Sequence, residues 1–162
     1  MVEKPWWHGS RGEWYVVVQF LLFALVAFGP KSLPGWPAWP PLWSTIGVVV
    51  GLILGSIGAL LILAGIFSLG RNLAAVPHPK DDATLVEKGA YRLVRHPIYS
   101  GIILGAFGWA LLRNGTLTLL YALILFLFFD IKSRREEKWL SRKFPQYRTY
   151  QQRVRKLIPF LY

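Results

Sequence analysis

Four apolar stretches divide the chain, and polar or proline-rich residues separate them. They cover residues 14–33, 44–69, 97–112 and 116–131. A helix crosses the apolar core of a bilayer with about 20 residues, so the first two stretches are long enough to span it alone. The last two are shorter and need to pack against neighbouring helices. The pattern predicts an all-α, polytopic integral membrane protein with four transmembrane helices in a single domain, residues 1–162.

The separating residues predict where these helices begin and end. Prolines in residues 33–43 oppose a helix and indicate an external loop. Pro97 suits the first turn of the third helix, where its missing N–H costs little. Residues 113–115, Arg-Asn-Gly, predict a tight turn, and the fourth helix is expected to continue through Leu140. Residues 71–95 lack an apolar period and predict a connecting loop long enough to suggest a function.

An additional, amphipathic helix is predicted after Phe144. Tyr147 and Val154 belong to an imperfect apolar stripe, and basic side chains lie opposite it. Such a helix would lie on the anionic leaflet as an interfacial anchor. The alternative interpretation is that it covers a ligand pocket.

The composition supports a membrane protein and excludes several kinds of site. Hydrophobic residues make up 54% of the chain, more than a soluble domain of this size usually carries. The absence of cysteine excludes disulfides, thiolate metal ligands and cysteine nucleophiles. All three histidines lie outside the apolar stretches, which argues against a membrane-embedded haem. No metal site is expected.

The distribution of charge predicts both orientation and partner. Every lysine and arginine except Lys31 and Arg113 lies in the terminal regions or in residues 71–95. The positive-inside rule therefore places both termini, that loop and the polar candidates for catalysis on the cytoplasmic side. The net charge of +11 is divided between membrane segments instead of forming one soluble patch. Membrane lipids are thus a better partner than nucleic acid.

Charged residues follow the fourth apolar stretch at helical spacing. Asp130, Arg134 and Glu137 share one face of a continuous helix. Near a bilayer such a trio needs mutual pairing or a ligand, and the alternative is a solvated helix held by ordinary salt bridges. His96 and Tyr99, at the start of the third helix, are equally ambiguous when each is considered alone.

In combination these residues resemble a known family. The stretch from Leu85 to Gly101 contains Arg95-His96-Pro97-Ile98-Tyr99-Ser100-Gly101 and resembles the Arg-His-Pro-x-Tyr-x-Gly signature of the isoprenylcysteine carboxyl methyltransferase family. A hydrophobic hairpin follows, and then come residues in the order that this family shows: Glu136, Glu137, Leu140, Phe144, Tyr147, Tyr150, Val154 and Pro159. Related phospholipid methyltransferases share the Glu-Glu pair. The resemblance covers residues 69–162.

The resemblance implies a pocket for S-adenosylmethionine at the cytoplasmic ends of the third and fourth helices, without a Rossmann domain. The cofactor-binding residues that it implies are Arg95, His96, Pro97, Tyr99, Glu136 and Glu137. The two glutamates would hold the cationic methionine end of the cofactor. This hypothesis requires that the motif at Arg95 and the acidic pair enclose one cavity.

The implied substrate is a hydrophobic or lipid-like acceptor. Arg71 or Arg134 would orient an anionic acceptor or the cofactor carboxylate, or would instead bind lipid phosphate. Glu136 or Glu137 would serve as the base for an amine acceptor. Carboxylate O-methylation is favoured over N- or S-methylation.

Two other function classes compete with a methyltransferase. Some membrane sterol reductases resemble this family in their C-terminal halves, so a related oxidoreductase is one alternative. A non-catalytic transport or scaffold protein is the other. No ionisable residue lies in the middle of an apolar stretch to couple ion movement, which counts against transport.

Overall fold

The computed structural model describes residues 12–159, 161 and 162, and this part of the chain is helical without any extended strand. The helices are α1 (Glu13–Phe28), α2 (Pro41–Leu69), α3 (Pro97–Leu112), α4 (Thr116–Lys143) and α5 (Tyr147–Arg153). Short 3₁₀ turns occur at Gly70–Asn72 and Gly89–Arg92. The predicted all-α class is therefore confirmed.

Two of these helices are long and apolar enough to cross a membrane, α2 and α4. The helices α1 and α3 are apolar but only 16 residues long each. By length and composition, residues 12–159 therefore contain two candidate spans. Membrane crossing by all four helices stays a prediction.

The ends of the first two helices differ from the sequence prediction. Helix α1 ends at Phe28 and not near residue 33, because Gly29 adopts an extended conformation and Pro30 follows it. Helix α2 begins at Pro41, three residues before the predicted start at residue 44. Proline fits the first helical position because its missing N–H would have no partner there. A proline thus begins this helix instead of excluding it.

The second pair of helices follows the prediction more closely. Helix α3 has the predicted bounds, and Asn114 turns the chain in a left-handed conformation with a φ of 49°. Helix α4 continues beyond its apolar part, past Leu140, and ends at Lys143. Its polar last turns therefore project from the same rigid helix as its apolar part.

The four long helices run back and forth, so the polar residues gather at one end of the bundle. At one end of the bundle, the Leu117 amide donates to the Lys31 carbonyl at 2.9 Å. At the opposite end, the Ala90 amide donates to the Ser68 hydroxyl at 3.4 Å. Helices α1 and α3 begin at this second end, and α2 and α4 finish there. We call it the polar end.

Glycines bring the backbones of α2 and α3 into contact. A β-carbon added to Gly58 would lie 2.6 Å from the carbonyl oxygen of Gly101, and one added to Gly51 would lie 2.7 Å from that of Gly108. Neither distance is tolerable for a real side chain. This glycine seam holds α3 against the long helix α2 and so fixes where α3 begins.

The predicted C-terminal helix is shorter than its sequence pattern suggests. Helix α5 has seven residues, and its two tyrosines, Tyr147 and Tyr150, are buried in the protein. The apolar stripe therefore faces the bundle. This arrangement favours the alternative in which the helix covers a pocket.

Candidate active site

The C-terminal segment after α5 holds the start of α3. The Arg95 amide donates to the Arg155 carbonyl at 2.8 Å, and the His96 amide donates to that of Lys156 at 3.2 Å. The Ser100 hydroxyl, one turn later, donates to the Leu157 carbonyl at 2.6 Å. The first two bonds supply partners for N–H groups near a helix start that have none within the helix.

Glu137 on α4 binds three side chains, two at the start of α3 and one on α5. One of its oxygens accepts from Arg95 Nε at 2.8 Å and lies 3.1 Å from His96 Nε2. The other accepts from Gln151 on α5 at 3.0 Å. Arg95 also donates to the backbone carbonyls of Gln151 and Val154. The Glu137 carboxylate, with an 11% exposed side chain, is thus fully used in holding α3, α4 and α5 together.

Glu136, the neighbouring residue, has a different environment. Its carboxylate accepts from the Tyr99 hydroxyl at 2.9 Å, and His96 Nδ1 lies 3.8 Å away. The His96 and Tyr99 rings are parallel, with centroids 5.4 Å apart. The Glu136 side chain remains 26% exposed. It retains acceptor sites for a cationic ligand.

A cavity of about 440 Å³ lies beside Glu136 and Tyr99. Its volume falls in the range of small-molecule sites, roughly 300–1,000 Å³. The walls come from α3, α4, α5 and the loop before α3, and Arg95 and His96 also contribute. The two motifs that the sequence singled out therefore meet at one cavity, as the resemblance required.

Several cavity residues were not identified from the sequence. Lys132 lies one turn before Glu136 on α4, is 1% exposed, and donates to Gln19 of α1 at 2.5 Å. Its sequence signal is a single cation four residues before the acidic pair. Gln19 carries no such signal, because only the folded chain brings α1 to this point.

Buried tyrosines complete the wall of the cavity. The Tyr150 hydroxyl donates to the Tyr91 carbonyl at 2.6 Å, whereas the buried Tyr147 hydroxyl has no hydrogen-bond partner among the described residues. Burial raises the pKa of Tyr147 well above its usual range, and the nearby Glu137 carboxylate adds to this effect. The Tyr147 side chain is therefore a neutral hydroxyl with a donor to offer.

The remaining candidates from the sequence lie outside the cavity. Asp130 accepts from Lys156, from Arg134 at 2.8 Å and from the Tyr162 hydroxyl at 2.8 Å. The Arg134 side chain is 64% exposed. Arg71 is also exposed, and its backbone carbonyl accepts from Lys80 at 2.7 Å. Neither arginine lines the cavity, and Pro97 is buried at the first turn of α3.

The sequence is similar to known methyltransferases and to metal-resistance proteins. The family model described as phospholipid methyltransferase matches residues 46–147. A probable protein-S-isoprenylcysteine O-methyltransferase of Oryza sativa subsp. indica is 34% identical over 69% of this chain and 61% of its own length. A cobalt-zinc-cadmium resistance protein of Cupriavidus metallidurans is 32% identical over 93% of this chain and 63% of its own length. The chain therefore spans about three-fifths of these relatives.

Proposed function

Because this chain belongs to the phospholipid methyltransferase family and is related to the isoprenylcysteine carboxyl methyltransferases, we propose that it methylates a hydrophobic acceptor with S-adenosylmethionine. The observation that carries the proposal is the meeting of the two motifs at one cavity, with Tyr99 bonded to Glu136 at 2.9 Å. S-adenosylmethionine supplies a methyl carbon that its positive sulfur already activates. The protein then has to bind the cofactor and the acceptor, align them with each other and exclude water.

Glu136 is the residue that binds the cationic part of the cofactor in this proposal. It lines the cavity, and its one side-chain hydrogen bond is from Tyr99. A partly desolvated carboxylate attracts a cation more strongly than a carboxylate in water. Tyr99 fixes the direction of the carboxylate, and the ring of His96 stacks on that of Tyr99.

Glu137 has a positioning role instead. Its hydrogen bonds go to Arg95, His96 and Gln151, and it does not line the cavity. The carboxylate therefore acts on the cofactor through the side chains that it orients. The two adjacent glutamates therefore have different roles: Glu136 contacts the ligand, and Glu137 positions other side chains of the protein.

The rest of the cavity suits a nucleoside. Apolar and aromatic side chains predominate in its wall, Tyr99, Tyr147 and Tyr150 among them. Small-molecule sites combine such apolar walls with a few directed polar groups.

The acceptor is proposed to be hydrophobic or lipid-like and to enter from the membrane. A carboxylate acceptor is ionised near neutral pH and needs only alignment. An amine acceptor needs a base, and Glu136, the carboxylate in the described cavity wall, would accept its proton. Arg71 and Arg134 are exposed outside the cavity. We therefore assign these arginines to lipid headgroups. The cytoplasmic location of the polar end follows from the positive-inside rule.

The first test of this proposal is equilibrium binding of S-adenosylmethionine and S-adenosylhomocysteine to the purified full chain in detergent micelles. We expect the wild-type protein to bind both, and Glu136→Gln to weaken binding of S-adenosylmethionine about tenfold, because a charge-assisted contact is lost. Glu87→Gln is the matched control, since Glu87 pairs with Arg153 away from the cavity. It should bind like the wild type.

Two results would contradict the proposal. The first is the absence of binding of either compound to folded wild-type protein, particularly if NADPH binds in its place, which would favour a reductase. The second is equal affinity of Glu136→Gln and wild type for S-adenosylmethionine.

The acceptor is identified in a separate assay. Transfer of a labelled methyl group to N-acetyl-S-farnesylcysteine indicates O-methylation, and transfer to phosphatidylethanolamine vesicles indicates N-methylation.

A further inference from the structure

Lys132 is a buried cation whose hydrogen-bond partners among the described residues are neutral. Its side chain is 1% exposed, and two of its three ammonium protons go to Gln19 at 2.5 Å and to the Ala75 carbonyl at 3.1 Å. Both acceptors are neutral. Among the described residues no carboxylate lies within ion-pair distance of Lys132. Burying a cation in this way is costly unless an anion joins it.

The surroundings of this ammonium group favour a cation, but among the described residues no carboxylate pairs with it directly. The Lys132 nitrogen lies 5.2 Å from the centre of the Tyr99 ring and 5.9 Å from that of Phe129. Cation–π contacts of this kind stabilise the charge while leaving the third N–H donor available. The other buried lysine of the polar end, Lys156, is paired with Asp130. Lys132 is therefore the exception that needs an explanation.

Lys132 and Glu136 lie one turn apart on α4, and both line the cavity. The cavity thus presents an ammonium and a carboxylate side by side. An α-amino acid carries the complementary pair, a carboxylate and an ammonium on the same carbon. We propose that Lys132 binds the carboxylate of the cofactor's methionine moiety, so that Lys132 and Glu136 together recognise a zwitterionic α-amino acid group.

This inference rests on the proposed function and makes Lys132 a specificity-determining residue. The carboxylate would occupy the third donor of the ammonium group and neutralise its charge. Gln19 and Ala75 would hold the nitrogen in place. Through Gln19, helix α1 contributes to the site although it lies outside residues 69–162, which carry the family motifs.

The test compares S-adenosylmethionine with its decarboxylated analogue. We expect the wild type to bind S-adenosylmethionine about tenfold more tightly than the analogue, as one charge-assisted hydrogen bond predicts. In Lys132→Met this preference should disappear, while affinity for the analogue stays at the wild-type value. Unchanged affinity for the analogue also reports an intact cavity.

Three further variants complete the comparison. Lys138→Met makes the same substitution at an exposed lysine of α4 outside the cavity and should keep the preference. Lys132→Arg keeps the charge and should retain most of it. Should Lys132→Met fail to fold, Lys132→Gln provides the same comparison, because its amide still donates to Gln19.

A full preference for S-adenosylmethionine in folded Lys132→Met or Lys132→Gln overturns the assignment. A reduced affinity for N-acetyl-S-farnesylcysteine in these variants, with an unchanged cofactor preference, also overturns it and assigns Lys132 to an acceptor carboxylate. Failure of the wild type to bind either cofactor compound instead rejects the proposed function, and the assignment with it.

Discussion

Helix α3 is held in opposite ways along its length and at its start. Along the glycine seam, side chains are absent and the backbones of α2 and α3 touch, with Gly58 and Gly101 facing each other. At the polar end, its first residues are fixed by side chains, through Arg95 and His96 bonded to Glu137. The seam can position a helix but offers no group to a ligand. The polar end positions the helix and also offers polar groups to a ligand.

Within the polar end, the number of protein partners distinguishes charged residues that position helices from charged residues that face a ligand. Glu137 and Asp130 each have three partners and use their charge inside the protein. Glu136 has one side-chain hydrogen bond, and Lys132 has two neutral acceptors. Glu137 and Asp130 are therefore structural, whereas Glu136 and Lys132 have fewer protein partners and line the cavity.

Removal of Glu137 should produce the largest effect on stability. Glu137→Ala leaves Arg95 and His96 without their carboxylate, and removing one partner of a buried ion pair costs about 3 kcal/mol. Because the start of α3 and α5 would both lose their connection to α4, cofactor affinity should fall as well. Thermal unfolding in micelles and binding of S-adenosylhomocysteine measure the two effects.

Glu136→Ala is the control for this change on the adjacent position of the same helix. It should reduce cofactor affinity while the unfolding temperature stays close to that of the wild type. If both alanine variants lowered the unfolding temperature equally, the distinction between a structural and a ligand-facing glutamate would be wrong.

The glycine seam should respond to a single methyl group. A β-carbon at Gly58 would lie 2.6 Å from the Gly101 carbonyl, so Gly58→Ala should separate α2 from α3 and cost about 1–3 kcal/mol. Gly55, on the same helix, has open space at that position. Gly55→Ala should therefore be neutral or stabilise the helix by about 1 kcal/mol. Equal unfolding temperatures for the two variants would show that the seam is not tightly packed.

Much of this architecture could be predicted from the sequence, because apolar length and motif order are local properties. The bounds of α3 and the turn before α4 agree with the prediction. The resemblance also predicted that Tyr99 and Glu136 belong to one pocket, but not that they hydrogen-bond to each other. These features depend on residues close in sequence or on recognised motifs.

The features that the sequence did not predict depend on distant contacts. The isolated bridge between Val94 and Arg155 brings the C-terminal segment to α3, and nothing in either stretch indicates it. The same holds for Lys132 and Gln19, which are 113 residues apart. Helical spacing on α4 likewise grouped Asp130, Arg134 and Glu137, although the fold pairs Asp130 with Arg134 and gives Glu137 other partners.

The smallest effect is expected at Arg134, which shares a helix face with Glu137 but is 64% exposed. Arg134→Gln removes one of the three partners of Asp130 and leaves Lys156 and Tyr162 in place. Because the carboxylate keeps both of these partners, unfolding temperature, cofactor affinity and kcat should match the wild type. Binding to vesicles that contain anionic lipid should weaken modestly if the arginine contacts headgroups, as cations near an anionic surface do. A large fall in kcat with unchanged cofactor affinity would instead return Arg134 to the catalytic centre, and the partner-number distinction within the polar end would then fail.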